Sequence, residues 1–243
     1  MKKLLFLLSV LSITLLSSCS IYEEIYFEKD GQVSYNMTLD MSEMLAMVPP
    51  EKMTSMPADS TISFAEMIKE KVDMDTLSSM EIEDLKNIMP FYLSTKMDAE
   101  TKSATISIYG KFSSAEDLNK GFMAMKRMAS KNEGKMSGLP QSNDLMNTYN
   151  TFNYSWDGKT MRRTGGKKTS SQSEEQATSK GNEFAKLLTG GKMRVKYHFP
   201  IKVNTIDNPD ALISQDGKTV IVEYKAIDLI ENPEKTSIEI KLK

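Results

Sequence analysis

The chain predicts an α+β fold: a largely antiparallel β-sheet built from hairpins, with several short helices packed on it. Three observations carry this. Asp-Gly pairs at Asp30-Gly31, Asp157-Gly158 and Asp216-Gly217 each join two stretches of alternating apolar and polar residues, a strong short-range hairpin signal. Helix-start spacings fall in clusters between hairpins. No regular strand–helix–strand alternation runs along the chain.

Each element has a local cause. Ile21 to Glu28 is rich in Ile, Tyr and Phe, and beyond Asp30-Gly31 the apolar series Val33, Tyr35, Met37, Leu39 and Met41 alternates with polar residues. Period 2 with one wet face is the pattern of an antiparallel sheet covering a core on one side. Asp40/Glu43, Ser63/Glu66 and Ser78/Glu81 have capping-box spacing, with Pro49 and Pro90 as helix stops. Phe91 to Met97 and Ala104 to Phe112 form a second hairpin. A helix from Ser114 places Leu118, Phe122, Met125 and Ala129 on one face. Thr151 to Arg163 forms a third hairpin, with Phe152, Tyr154 and Trp156 sharing a face. Thr164 to Gly181 has no large apolar residue and is expected to stay disordered. Asn182 caps a short helix through Leu188, followed by strands at Met193 to Phe199, the Ile213 to Tyr224 hairpin and Ile238 to Leu242. The expected organisation is a cleaved leader (1–18), hairpins plus Met-rich helices (19–129), a loop, hairpin and polar segment (130–181), and a β-rich end (182–243) joined to 19–129 in one domain.

Lys2 and Lys3 precede an apolar run from Leu4 to Leu16, and Leu16-Ser17-Ser18-Cys19 closes it. This is the layout of a secretory signal, too short for a membrane-spanning helix. The last four residues resemble the lipobox of bacterial lipoproteins. That resemblance implies that Cys19 becomes the lipidated N-terminus, carrying a diacylglycerol and an amide-linked acyl chain such as palmitate. Two or more chains hold a protein stably on a bilayer. The expected location is the bacterial cell envelope, on the outer membrane with its face open. Cys19 is the only cysteine, so no disulfide is expected.

Loss of Lys2 and Lys3 takes the formal charge from −2 to −4, which points away from nucleic acid as a partner. The single histidine, His198, sits on the polar side of its strand and reads as an exposed sheet residue; alone it builds neither a closed zinc site nor the usual nucleophile–base pairs. No P-loop, G-x-S-x-G or H-E-x-x-H is present. Methionine is the outlier: 19 residues, eleven of them from Met37 to Met97. Thioethers suit Cu(I), but these also fit the apolar faces of helices and strands or a pliable groove for a lipid or partner helix. Nearly all the acids fit caps, turns or wet faces, leaving a two-carboxylate hydrolase as a formal alternative. The cluster Lys159, Arg162, Arg163, Lys167 and Lys168 reads as a solvated arm, with anionic headgroups as the sharper alternative. Glu23 and Glu24 follow the anchor, where some bacteria place a surface-export signal, yet they lie within a strand pattern.

The anchored start, the Asp30-Gly31 hairpin, and the Phe199-Pro200 strand before the Asp216-Gly217 hairpin resemble LppM-type lipoprotein domains. The resemblance implies an envelope protein that handles lipid and transfers no binding residue. The resulting expectation is a non-enzymatic lipoprotein, without cofactor or metal beyond the lipid on Cys19. It would bind a lipid, an apolar ligand or another envelope protein. A Met-based Cu(I) binder and a carboxylate-dependent hydrolase are the alternatives; oligomeric state is left open.

Overall fold

The first alternating segments become two long paired strands, β1 (Ser20–Phe27) and β2 (Val33–Asp40), in register from Ser20 opposite Asp40 to Phe27 opposite Val33. The computed structural model describes residues 20–43, 59–69, 75, 77–98, 100–131, 152–166 and 188–243. At the first Asp-Gly turn the Glu28 amide donates to the Gln32 carbonyl at 2.9 Å, leaving a three-residue loop rather than two. Gly31 takes φ 91° there, a conformation that costs glycine nothing.

The middle of the chain supplies β3 (Ser60–Ser63), α1 (Phe64–Lys69), α2 (Ser79–Ile88), β4 (Phe91–Asp98), β5 (Ser103–Phe112) and α3 (Ala115–Lys131). The Ser78/Glu81 capping box forms in full: the Ser78 amide donates to Glu81 Oε2 at 2.8 Å, and the Glu81 amide to Ser78 Oγ at 3.4 Å. Ser114 Oγ accepts from the Asp117 amide at 3.1 Å to open α3. The short β3 carried no alternating apolar signal; it forms because the edge of β4 offers unpaired backbone groups. The remaining elements are β6 (Phe152–Trp156), β7 (Thr160–Gly165), β8 (Lys192–His198), β9 (Val203–Ile206), β10 (Leu212–Ile213), β11 (Thr219–Lys225), α4 (Asp228–Glu231), a 3₁₀ turn (Pro233–Thr236) and β12 (Ile238–Leu242).

The strands form two sheets. The larger has eight strands in the order β10-β11-β8-β1-β2-β5-β4-β3; the smaller has four, β6-β7-β12-β9. All pairings are antiparallel except β1 with β8. Hairpin reasoning cannot find that parallel pair, because a parallel neighbour comes through a long crossover rather than a turn.

One buried cluster joins the layers. Phe122 of α3 meets Tyr35 edge-on at 5.1 Å and Phe91 at 5.5 Å, so α3 roofs the β2–β5–β4 half of the large sheet. The small sheet covers the β1–β8 half, where Phe27 packs on Trp156 at 5.4 Å and on Phe199 at 5.5 Å. Asn119 ties the two roofs together, donating to the Tyr154 carbonyl and accepting from its amide at 2.8 and 2.9 Å. Gly165 is required by packing: a Cβ there would lie 1.8 Å from the Pro233 carbonyl oxygen. The other face of the large sheet stays open at Tyr22, Tyr26 and Tyr92.

Candidate functional site

The inward face of β1 reads Ile21, Glu23, Ile25, Phe27, so strand alternation alone carries a carboxylate into the interior. Across the gap β7 does the same with Arg163, between the inward Met161 and Gly165. Arg163 Nη2 stands 3.2 Å from Glu23 Oε2, with both side chains essentially dry. The Tyr154 hydroxyl donates to Glu23 Oε1. The guanidinium lies over the Phe152 ring at 4.1 Å, and Nη1 donates to the Tyr197 hydroxyl at 3.5 Å. Arg163 Nε and the Tyr224 hydroxyl, also in this cluster, are buried without a hydrogen bond of good geometry.

Arg163 and Glu23 correct the expectation of a solvated basic arm and of acids confined to caps, turns and wet faces. The physical reason is register. Tyr154 pairs with Arg163 and Trp156 with Met161, so Arg163 must share the face of the aromatic residues opposite it. Burial works against the charge on Arg163, but the Glu23 carboxylate and the Tyr154, Tyr197 and Tyr224 hydroxyls together outweigh it, so the guanidinium holds its proton well beyond the ordinary arginine range. Burial also pushes the Tyr154 and Tyr197 hydroxyls well above the usual tyrosine value, with Arg163 pulling the other way. A buried, charge-paired cluster of this kind specifies how two sheets dock. A second buried acid, Asp84 on α2, is likewise taken up by an arginine: Arg127 Nε of α3 donates to both carboxylate oxygens at 3.2 and 2.9 Å.

The open face of the large sheet is the accessible candidate. His198 is half-buried there rather than fully exposed as expected. Its ring stacks on Tyr26 at 4.1 Å, its Nε2 is 3.0 Å from Glu24 Oε1, and its Nδ1 is 3.1 Å from Thr219 Oγ1. Burial, and then the Glu24 carboxylate, raises the Tyr26 hydroxyl above its ordinary value. Lys196 approaches the same carboxylate at 3.6 Å, and Arg194 Nε donates to Glu223 at 2.9 Å. Two strands beyond β1, Tyr109 stacks with Tyr92 of the next strand at 5.6 Å. Strand alternation along β8 puts His198, Arg194 and Lys196 on this face, whereas the tyrosine stacks come from cross-strand register.

Cys19, Lys167, Lys168 and the methionines at 44, 47, 53 and 56 lie outside the described residues, as do residues 167–181 of the expected polar segment and most of the helix from Asn182; Thr164 and Gly165, expected to be disordered, instead close β7. Met37, Met67, Met125, Met128, Met161 and Met193 are buried in the main core, and Met41 and Met97 pack against Ala104. Among the described residues no group of three or more His, Cys, Asp or Glu side chains is placed to hold a metal ion. Also among them, no helix is long and apolar enough to cross a membrane.

No protein-family model matches the chain, and no curated protein matches it. Among solved structures it is similar to the folded domain of LppM from Mycobacterium tuberculosis, determined by NMR. The TM-score is 0.40 at 10% identity, over 93% of this chain and 90% of that one.

Proposed function

We propose that this chain is a lipid-anchored protein of the bacterial cell envelope. In this reading a non-catalytic domain, held directly on a bilayer, binds a lipid, an apolar ligand or another envelope protein there. The observation that supports it is the position of Ser20. It opens β1 and is already paired with Asp40, so no spacer separates the lipobox cysteine from a central strand of the large sheet. Two acyl chains on Cys19 would supply the membrane affinity. The chemistry of the interior agrees with a binding rather than a catalytic role: its charged groups, Glu23 with Arg163 and Asp84 with Arg127, are consumed by each other.

Metabolic labelling with a clickable palmitate tests the reading. The wild-type chain takes up the tag and stays with the membrane fraction, whereas Cys19→Ala loses both. An untagged wild-type chain, beside acylated controls that label, overturns it.

A further inference from the structure

We propose that the open face of the eight-stranded sheet is a bilayer-docking surface: it lies flat on an anionic headgroup layer, beside the anchor. This deepens the proposed function and rests on the lipidation of Cys19. Four properties of the face carry it.

The first is position. Ser20 and Tyr22 belong to this face, so a lipid on the preceding residue holds the face's own strand at the bilayer. The second is charge. Register places six cations on the face, Lys96, Lys111, Lys192, Arg194, Lys196 and Lys225, against the carboxylates of Glu24, Asp40, Asp98 and Glu223. That is a net of two positive charges, on a chain whose net after loss of the leader's two lysines is −4. The domain therefore presents its cationic side where the anchor holds it, and each basic residue near an anionic surface favours docking about fivefold.

The third property is residue type. Tyr22, Tyr26 and Tyr92 are exposed on this face. Tyrosine, with an apolar ring and a wet hydroxyl, is the side chain suited to a membrane–water boundary. The fourth is an aliphatic corner. Leu212, 66% exposed, pairs with Ile221 and so points the same way, at the sheet edge three strands from β1. Lysine and arginine stems reach past such rings while their charged heads stay hydrated.

The test uses the full acylated protein in phosphatidylethanolamine–phosphatidylglycerol vesicles that contain brominated lipid. Tyr92→Trp is made in a Trp156→Phe background. Position 92 lies three strands from the anchor strand, roughly 14 Å away at strand spacing, so its signal does not merely report the lipid. Native Trp156, packed under the small sheet against Phe27 and Phe199, is the control.

The reporter at position 92 is expected to lose about half of its emission, since interfacial side chains reach roughly 5–10 Å into the headgroup–acyl boundary. Trp156 in the native chain keeps its own. Adding Lys96→Glu and Lys111→Glu restores the reporter's emission by at least about fivefold in the docking equilibrium. A protein that floats with the vesicles while the reporter stays bright retains the anchor and overturns the docking face. A reporter that instead becomes shielded from aqueous iodide as protein density rises assigns the face to a second copy, and also overturns it. A chain that neither floats nor shows quenching removes both the anchor and the face.

Discussion

Glu23 and Glu24 are neighbours in sequence and opposites in environment. Glu23 faces the gap between the sheets, dry, within 3.2 Å of an equally dry arginine. Glu24 faces outward among Lys196 and His198, a third of its side chain in contact with water. The chemistry of the residue is identical; the solvent around it differs. Inside, two charges have given up hydration and depend on each other, while outside water and salt screen whatever the neighbours contribute. The lesson is that a charge's energetic weight is set by the parity of its position in the strand.

Glu23→Gln gives the largest effect. It leaves Arg163 buried and unpaired, and stability of the anchor-free mature chain falls by about 3–5 kcal/mol in chemical denaturation. Replacing both partners by apolar residues, Glu23→Leu with Arg163→Met, recovers most of that loss; a double variant as unstable as the single one breaks the account. Alkaline pH probes the same cluster next. Because the folded-state values of Tyr154 and Tyr197 are raised, the unfolded chain releases these protons first. Their contribution is complete below about pH 10, the ordinary tyrosine value, and is lost as pH climbs from there toward the raised folded values. Tyr197→Phe shortens that alkaline fall, read as thermal midpoint against pH.

Asp84→Asn is smaller. Asp84 is buried but Arg127 is 41% exposed, so the freed arginine can turn to water, and the loss is about 1–2 kcal/mol. Glu24→Gln is smallest, about 0–1 kcal/mol and shrinking with added salt, as exposed ion pairs do. If Glu24→Gln proves as damaging as Glu23→Gln, the contrast between the two faces fails.

Much of the fold is local and was legible as such. Strand patterning located β1, β2, β4, β5, β8 and β12, and Asp-Gly turns located the β1–β2, β6–β7 and β10–β11 joins. Ser78 with Glu81, and Ser114 ahead of Asp117, started helices where their spacing said they would. The buried pair was half legible. Counting alternate residues from Ile21 to Phe27 puts Glu23 with the apolar series, and pairing across Asp157-Gly158 puts Arg163 opposite Tyr154. What hid them was the expectation that charges face water, which holds for isolated charges and fails for a pair.

By itself, then, the sequence determined the short-range features: strand periodicity, turn glycines and helix caps. Each depends on residues within a few positions of one another. The tertiary structure alone decided that the strands divide into two sheets, that β8 lies parallel to β1, and that Glu23 meets an arginine from β7. Those outcomes are chosen by which apolar faces bury each other, an energy spread over the whole core and carried by no single stretch of chain.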